Sequence, residues 1–204
     1  MNDRWSSLED PIEAKLGGNV QWRSPLSGDD YAEYRDGEFL DIVDLGHLRS
    51  DLADFWPSRG PQWDALGVGP KGQVILVEAK AHVGEMCSPP TGASQASRRR
   101  ITDNLNACAQ LLGAREGHAD WSRHFYQIAN RLAHLRFLRE RGVDAYLVLV
   151  NFLNDREMGG PSTPEAWEAA YQVAFHVLGL SKRHPLSRYI VDVYPDVATM
   201  RGQE

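Results

Sequence analysis

Gln73-Val74-Ile75-Leu76-Val77-Glu78-Ala79-Lys80 is an apolar, partly β-branched run that ends in two charges. It reads as a strand, because β-branched residues pack well on a pleated surface and the Gly-rich stretch before it marks a turn. Side chains alternate along a strand, so Glu78 and Lys80 project to one face while Ala79 packs on the other. A carboxylate and an ammonium therefore stand side by side at one strand's end.

Immediately upstream, Gln62-Trp63-Asp64-Ala65-Leu66 reads as a second strand, joined to the first by Gly67-Val68-Gly69-Pro70-Lys71-Gly72. Should the two pair with Asp64 facing Glu78, two carboxylates converge. At about 4 Å, with an effective dielectric near 20, their repulsion is on the order of 4 kcal/mol, and a positive charge must relieve it. A hard divalent cation is the usual answer: Mg²⁺ takes one or two carboxylates, keeps several waters and prefers phosphate oxygens for the rest. Lys80 beside such a centre could orient or help deprotonate an attacking water and stabilise charge on the phosphate. The plainer alternative is a solvated Glu78–Lys80 pair with Asp64 as a turn neighbour, contributing only about 0–1 kcal/mol.

The surrounding sequence predicts alternating helices and strands. Ser6 to Leu16, closed by Gly17-Gly18, reads as a helix, and residues 19–43 carry no clear period. Leu45, Leu48, Leu52 and Phe55 recur at helical spacing until Pro57. After Pro89-Pro90-Thr91-Gly92, the residues Ile101, Leu105, Cys108 and Leu112 mark one face of a helix from about Ser94, whose other face carries Arg98, Arg99 and Arg100. A longer helix is predicted from Trp121 to Arg141, with Trp121, Phe125, Ile128, Leu132, Leu135 and Leu138 inward and Gly142 as its stop. The run from Asp144 to Leu153 reads as a strand buried on both faces. Thr163-Pro164 opens a further helix, and Ile190 to Tyr194 forms a last strand before Pro195.

This order of elements, with Asp64…Glu78-Ala79-Lys80 on a strand pair that follows a helix and precedes an Arg-bearing helix and a buried strand, resembles the PD-(D/E)XK nuclease superfamily. The resemblance spans residues 45–153. It implies an α/β, restriction-endonuclease-like fold: a central mixed sheet flanked by helices in a single domain over 1–204, with 1–44 and 154–204 packed on the core as decorations. It further implies a Mg²⁺- or Mn²⁺-dependent endonuclease in which Asp64 and Glu78 are metal ligands and Lys80 is the catalytic lysine. Trp63 stands where the family's motif has Pro. For the third acid on the preceding helix, Asp51 is the first candidate, with Asp44 and Glu13 behind it. Gln95 matches the polar helper at the start of the next helix, and Arg98, Arg99 and Arg100 would receive a nucleic-acid backbone, DNA before RNA. A non-catalytic domain of the same fold that binds a protein or nucleic acid is the alternative.

Composition sets the frame. At 204 residues the chain suits one domain. With 42% hydrophobic and 25% charged residues and six Trp it has the aromatic mass that disordered chains lack. No apolar run approaches the roughly 18 residues of a membrane span, no secretory leader is visible, and Cys87 and Cys108 are too few for a disulfide framework, so a cytoplasmic location is expected. The net charge of −6 is unlike a typical nucleic-acid binder. It is also uneven: residues 1–66 sum to −8 and residues 94–141 to +5, so an anionic partner is expected on the 94–141 side.

Other motifs carry less. Gly67 to Gly72 satisfies G-x-G-x-x-G but leads into a strand, whereas the dinucleotide fingerprint must open a helix. His118, His124 and His134 lack metal-ligand spacing. Cys108 falls on an apolar helical face and reads as core. His82 and Glu85 follow Lys80 in a loop.

Overall fold

The run that opens the reading is the third strand of a five-stranded mixed sheet. In the computed structural model, which describes residues 6–200, the chain runs α1 (Ser6–Leu16), β1 (Gln21–Ser24), α2 (Asp36–Ile42), α3 (Arg49–Phe55), β2 (Ala65–Val68), β3 (Val74–Lys80), α4 (Gln95–Leu111), α5 (Tyr126–Glu140), β4 (Ala145–Asn151), α6 (Pro164–Val177), β5 (Ile190–Val193) and the short α7 (Val197–Met200). The strands lie in sequence order, β1-β2-β3-β4-β5. The first three are antiparallel neighbours, and β3, β4 and β5 run parallel. Parallel neighbours need crossovers; α4 and α5 connect β3 to β4, and α6 connects β4 to β5.

Strand alternation divides the core between the two faces of the sheet. Ile75, Val77, Val148, Val150, Val191 and Val193 face one way and are covered by Ile12 and Leu16 of α1. Val74, Leu76, Leu147 and Leu149 face the other way, against apolar residues of α2 to α6. Glu78 and Lys80 continue the second row, so both charges enter the helix-covered face. They are buried there, at 4% and 7% exposure.

Several expected boundaries move for local reasons. β2 begins at Ala65 rather than Gln62, and it includes Gly67 and Val68, which pair with Ile75 and Val74. The turn shrinks to Gly69–Gly72, closed by the Gly72 N–H donating to the Gly69 carbonyl at 3.0 Å, with Gly72 at φ +78°. Glycine adopts that left-handed backbone without the steric cost a Cβ brings. The helix expected from Leu45 opens as a 3₁₀ turn, Gly46–Leu48, before α3. The long helix starts at Tyr126 instead of Trp121, because Phe125 sits at φ +50° and interrupts the helical backbone. Trp121 is nonetheless buried, its indole N–H donating to the Leu178 carbonyl at 3.0 Å. The uninterpreted stretch 19–43 supplies β1 and α2. Ser94 caps α4, accepting the Ser97 N–H. Thr163 makes no side-chain cap to α6, which relies on Pro164 in its first turn. Among the described residues, no helix is long and apolar enough to cross a membrane.

Candidate functional site

The pairing of β2 with β3 brings Asp64 to the peptide that links the two charges of β3. Asp64 lies just before β2; its N–H donates to the Val77 carbonyl at 3.2 Å, and its Oδ2 accepts the Ala79 N–H at 2.6 Å. Its other carboxylate oxygen accepts no hydrogen bond among the described residues. Burial, reinforced by the nearby Glu78 charge, pushes the Asp64 carboxyl up to about 6, against the opposing pull of the Ala79 N–H and Arg131.

Glu78 is held by two cations. Lys80 Nζ binds Oε1, and Arg131 of α5 binds Oε2, with Nε donating at 2.5 Å and Nη2 in ion-pair contact with the same oxygen. The guanidinium is fixed on every side: Nη1 donates to the Asn130 side-chain oxygen at 2.9 Å, Nη2 donates to the Gln62 carbonyl at 2.8 Å, and its carbon lies 4.8 Å from the centre of the Trp63 ring. All three charged side chains are below a tenth exposed. Buried charges persist only when paired and hydrogen-bonded, and removing one partner of such a set costs about 3–5 kcal/mol.

Sequence periodicity missed Arg131, although a signal was there. Ile128 and Leu135 were both expected to point inward, and Arg131 lies three residues after one and four before the other, on the same helical stripe. An arginine on that stripe must meet a buried anion, and Glu78 is that anion. Asn151, next to Lys80 across the β3–β4 pairing, was missed as well. It is fully buried, and its Oδ1 accepts the Tyr171 hydroxyl at 3.0 Å from α6. Burial and the charges of Asp192 and Glu78 raise the Tyr171 hydroxyl well above its ordinary range, so it acts as a donor.

Not all of the expected residues gather here. Asp51 is on α3 and binds Arg141 at 2.9 Å. Arg141 is ten residues beyond Arg131, about 15 Å along a helix at 1.5 Å per residue, which separates Asp51 from Glu78. Asp44 pairs with Arg23 at 3.2 Å. Glu13 belongs to α1, which covers the opposite sheet face. His82 and Glu85 pair with each other at 3.3 Å in the loop after β3. Gln95, Arg98, Arg99 and Arg100 are exposed at the start of α4. Among the described residues the three arginines make no ion pair; Arg100 donates to the Ala53 carbonyl at 2.9 Å and, with Arg49 and Ser97, lines a cavity of about 370 Å³ between α3 and α4. Cys108 is core, as its helical face predicts, and burial pushes its thiol up to about 12. His134 is fully buried among Phe55, Trp56 and Trp63, with Nδ1 2.8 Å from the Asn130 carbonyl, and burial pushes it down to about 3. It is a neutral packing residue.

No three His, Cys, Asp or Glu side chains come together as a metal-holding group among the described residues. The donor set is two carboxylates: Asp64 with an unengaged oxygen, and Glu78 with lone pairs beyond those taken by its cations. Two hard oxygens fit an ion of the Mg²⁺ type, which takes one or two carboxylates and completes its shell with water and phosphate oxygens.

These features define an α/β chain with a mixed five-stranded sheet and a buried, charge-balanced cluster at the carboxyl end of a parallel strand. In open α/β sheets this is the end where ligands bind. Comparison with known proteins adds no relative: no family model, no curated protein and no solved structure matches the chain.

Proposed function

We propose that the chain is a metal-dependent nuclease of the PD-(D/E)XK type, with a restriction-endonuclease-like fold, that hydrolyses phosphodiester bonds in nucleic acid. The observation that carries this reading is the convergence of Asp64, Glu78 and Lys80 at one strand end, tied by the Asp64–Ala79 hydrogen bond. A mixed sheet flanked by helices, the coarse architecture the resemblance implies, supports the reading.

In this reading Asp64 and Glu78 hold Mg²⁺ or Mn²⁺, which when bound supplies Lewis acidity toward a phosphate oxygen and an acidified water. Lys80 orients the attacking water and offsets charge that develops on the phosphate. Arg131 fixes the Glu78 carboxylate and adds a second positive charge to the site. Gln95 and the exposed Arg98, Arg99 and Arg100 receive the backbone of the nucleic acid, DNA before RNA, on the basic 94–141 segment.

The test is cleavage of plasmid and oligonucleotide DNA and of RNA with Mg²⁺ or Mn²⁺, comparing the parent with Asp64→Asn and Lys80→Ala. Asn keeps an acceptor for the Ala79 N–H, so the Asp64 variant retains the fold. Both variants are expected to lose cleavage; undiminished cleavage in either overturns the assignment.

The mutual neutralisation of Asp64 and Glu78 by Lys80 and Arg131 favours one second reading, a non-catalytic domain of the same fold in which the cluster clamps α5 to β3 and the surface binds a protein or nucleic-acid partner. A folded parent protein that binds DNA but cleaves no nucleic acid with either cation selects it.

A further inference from the structure

The cluster on β3 and α5 contains two carboxylates, Asp64 and Glu78, and two basic side chains, Lys80 and Arg131. Its charges already cancel. Both Glu78 oxygens are in use, one by Lys80 and the other by the Arg131 fork. The fork is itself locked by Asn130, by the Gln62 carbonyl and by the Trp63 ring, so the guanidinium cannot swing aside without losing three further contacts.

An unopposed divalent cation entering this space meets two resident cations with little solvent between them, since all three charged groups are nearly buried. A phosphate anion reverses the balance. It gives Lys80 and Arg131 a new partner, frees lone pairs on Glu78 and supplies oxygens that a hard cation prefers. We infer that Arg131 is a counter-charge residue that makes the site take a divalent cation and a nucleic-acid phosphate together, each weakly alone. This inference rests on the nuclease reading and adds to it an obligatory partnership between metal and substrate, set by a helix residue outside the Asp64–Glu78–Lys80 motif.

Binding, not turnover, tests it. Mn²⁺ is titrated calorimetrically into the full-length protein, alone and with a short phosphorothioate-backbone DNA duplex that resists hydrolysis. The duplex is expected to tighten Mn²⁺ binding by about tenfold or more, within the 5- to 150-fold range of ordinary site-to-site coupling. By reciprocity Mn²⁺ tightens duplex binding by the same factor. Arg131→Gln removes one resident cation; it is expected to bind Mn²⁺ alone more tightly than the parent and to lose most of the duplex effect. Lys80→Gln removes the other cation and is expected to shift in the same direction, which keeps the test intact should the Arg131 variant fail to fold. Arg131→Lys leaves the charge count unchanged and is expected to retain the coupling.

Equal Mn²⁺ affinity with and without duplex, abolished by Glu78→Gln, overturns the counter-charge inference and leaves the nuclease reading standing. No Mn²⁺ binding under either condition overturns both. Loss of coupling in Arg131→Lys shows a role in shape instead of charge and overturns the inference as well.

Discussion

The Asp64 carboxylate accepts the Ala79 N–H at 2.6 Å, so the acid that precedes β2 is tied to the peptide between Glu78 and Lys80 on β3. This bond, with the Asp64 N–H donating to the Val77 carbonyl, fixes Asp64 against the strand that carries the other two motif residues. It also leaves Asp64 buried near a second carboxylate, and its carboxyl rises to about 6.

That rise has a cost at neutral pH. Asp64 ionises near 3.9 in the unfolded chain and near 6 in the folded one. Below the lower value both states hold the proton and no penalty exists. Between the two, stability falls as pH rises, and above about 6 the full penalty applies. Asp64→Asn removes the charge and keeps the acceptor. It is expected to be more stable than the parent at pH 7.5, by on the order of 1–3 kcal/mol, with the advantage vanishing as pH falls toward 4. Urea midpoints of the two proteins at a series of pH values check this; an advantage that persists at pH 4 contradicts it.

His134 acts in the opposite direction. Its folded value is pushed down to about 3 from the ordinary 6.5, so the unfolded chain takes up a proton that the folded one refuses. Stability contributed by the neutral imidazole is complete above about 6.5 and falls with pH through the window down to about 3, at about 1.4 kcal/mol per pH unit. His134→Phe retains an aromatic ring against Phe55, Trp56 and Trp63 and lacks the titration. Relative to the parent it is expected to gain stability by that slope between pH 6 and 4. Because Asp64 relieves its own penalty over much of the same range, the parent's curve alone hides both effects, and only the difference between parent and variant reveals each. A difference independent of pH refutes the assignment.

The helices and strands with strong periodicity were legible because burial writes itself into spacing. β3 is an unbroken apolar run that ends in charge, and α4 pairs a Ser94 cap with Ile101, Leu105 and Cys108 on one stripe. β1 was not legible: Gln21-Trp22-Arg23-Ser24 is a four-residue edge strand, half-exposed, with no apolar alternation to mark it. For the site, strand alternation places Glu78 and Lys80 on one face, and Asp64 joins them through the β2–β3 pairing. Arg131 does not, since a period search treats arginine as surface and its partner is 53 residues away on another element. The third acid was sought on the preceding helix, where Asp51 instead meets Arg141. The helix is where the periodicity places it, and Asp51 on it is paired with Arg141 instead of Glu78, a side-chain pairing that sequence spacing does not encode.

Gly160 guards the far end of β3. A Cβ added there falls on the Ala81 carbonyl oxygen, closer than real contacts allow, and a backbone atom cannot rotate away. Gly160→Ala must move either its own loop or the Ala81 peptide next to Lys80. The expected cost is about 1–3 kcal/mol of stability, the usual range for overpacking. Cleavage is expected to fall more than stability does, because the displaced Ala81 carbonyl lies one residue beyond Lys80. Denaturant midpoints and cleavage rates measured on the same preparation check it; an unchanged midpoint removes the steric argument.

The basic start of α4 yields a prediction independent of the buried cluster. Arg98 and Arg99 are exposed and carry no ion pair among the described residues, so neutralising them leaves the salt bridges formed there intact. Each arginine that meets a phosphate releases condensed counterions, and the slope of log affinity against log salt steepens by about 0.9 for each contact on duplex DNA. The double variant Arg98→Ala/Arg99→Ala is expected to bind duplex DNA more weakly, to shallow that slope by up to about 2, and to keep the parent's urea midpoint within about 0.5 kcal/mol. Fluorescence anisotropy over a salt series measures the slope directly. The acidic 1–66 segment makes the test sharp: if DNA were held elsewhere, removing two positive charges here would leave the slope unchanged, and the α4 surface would no longer be the face that meets the backbone.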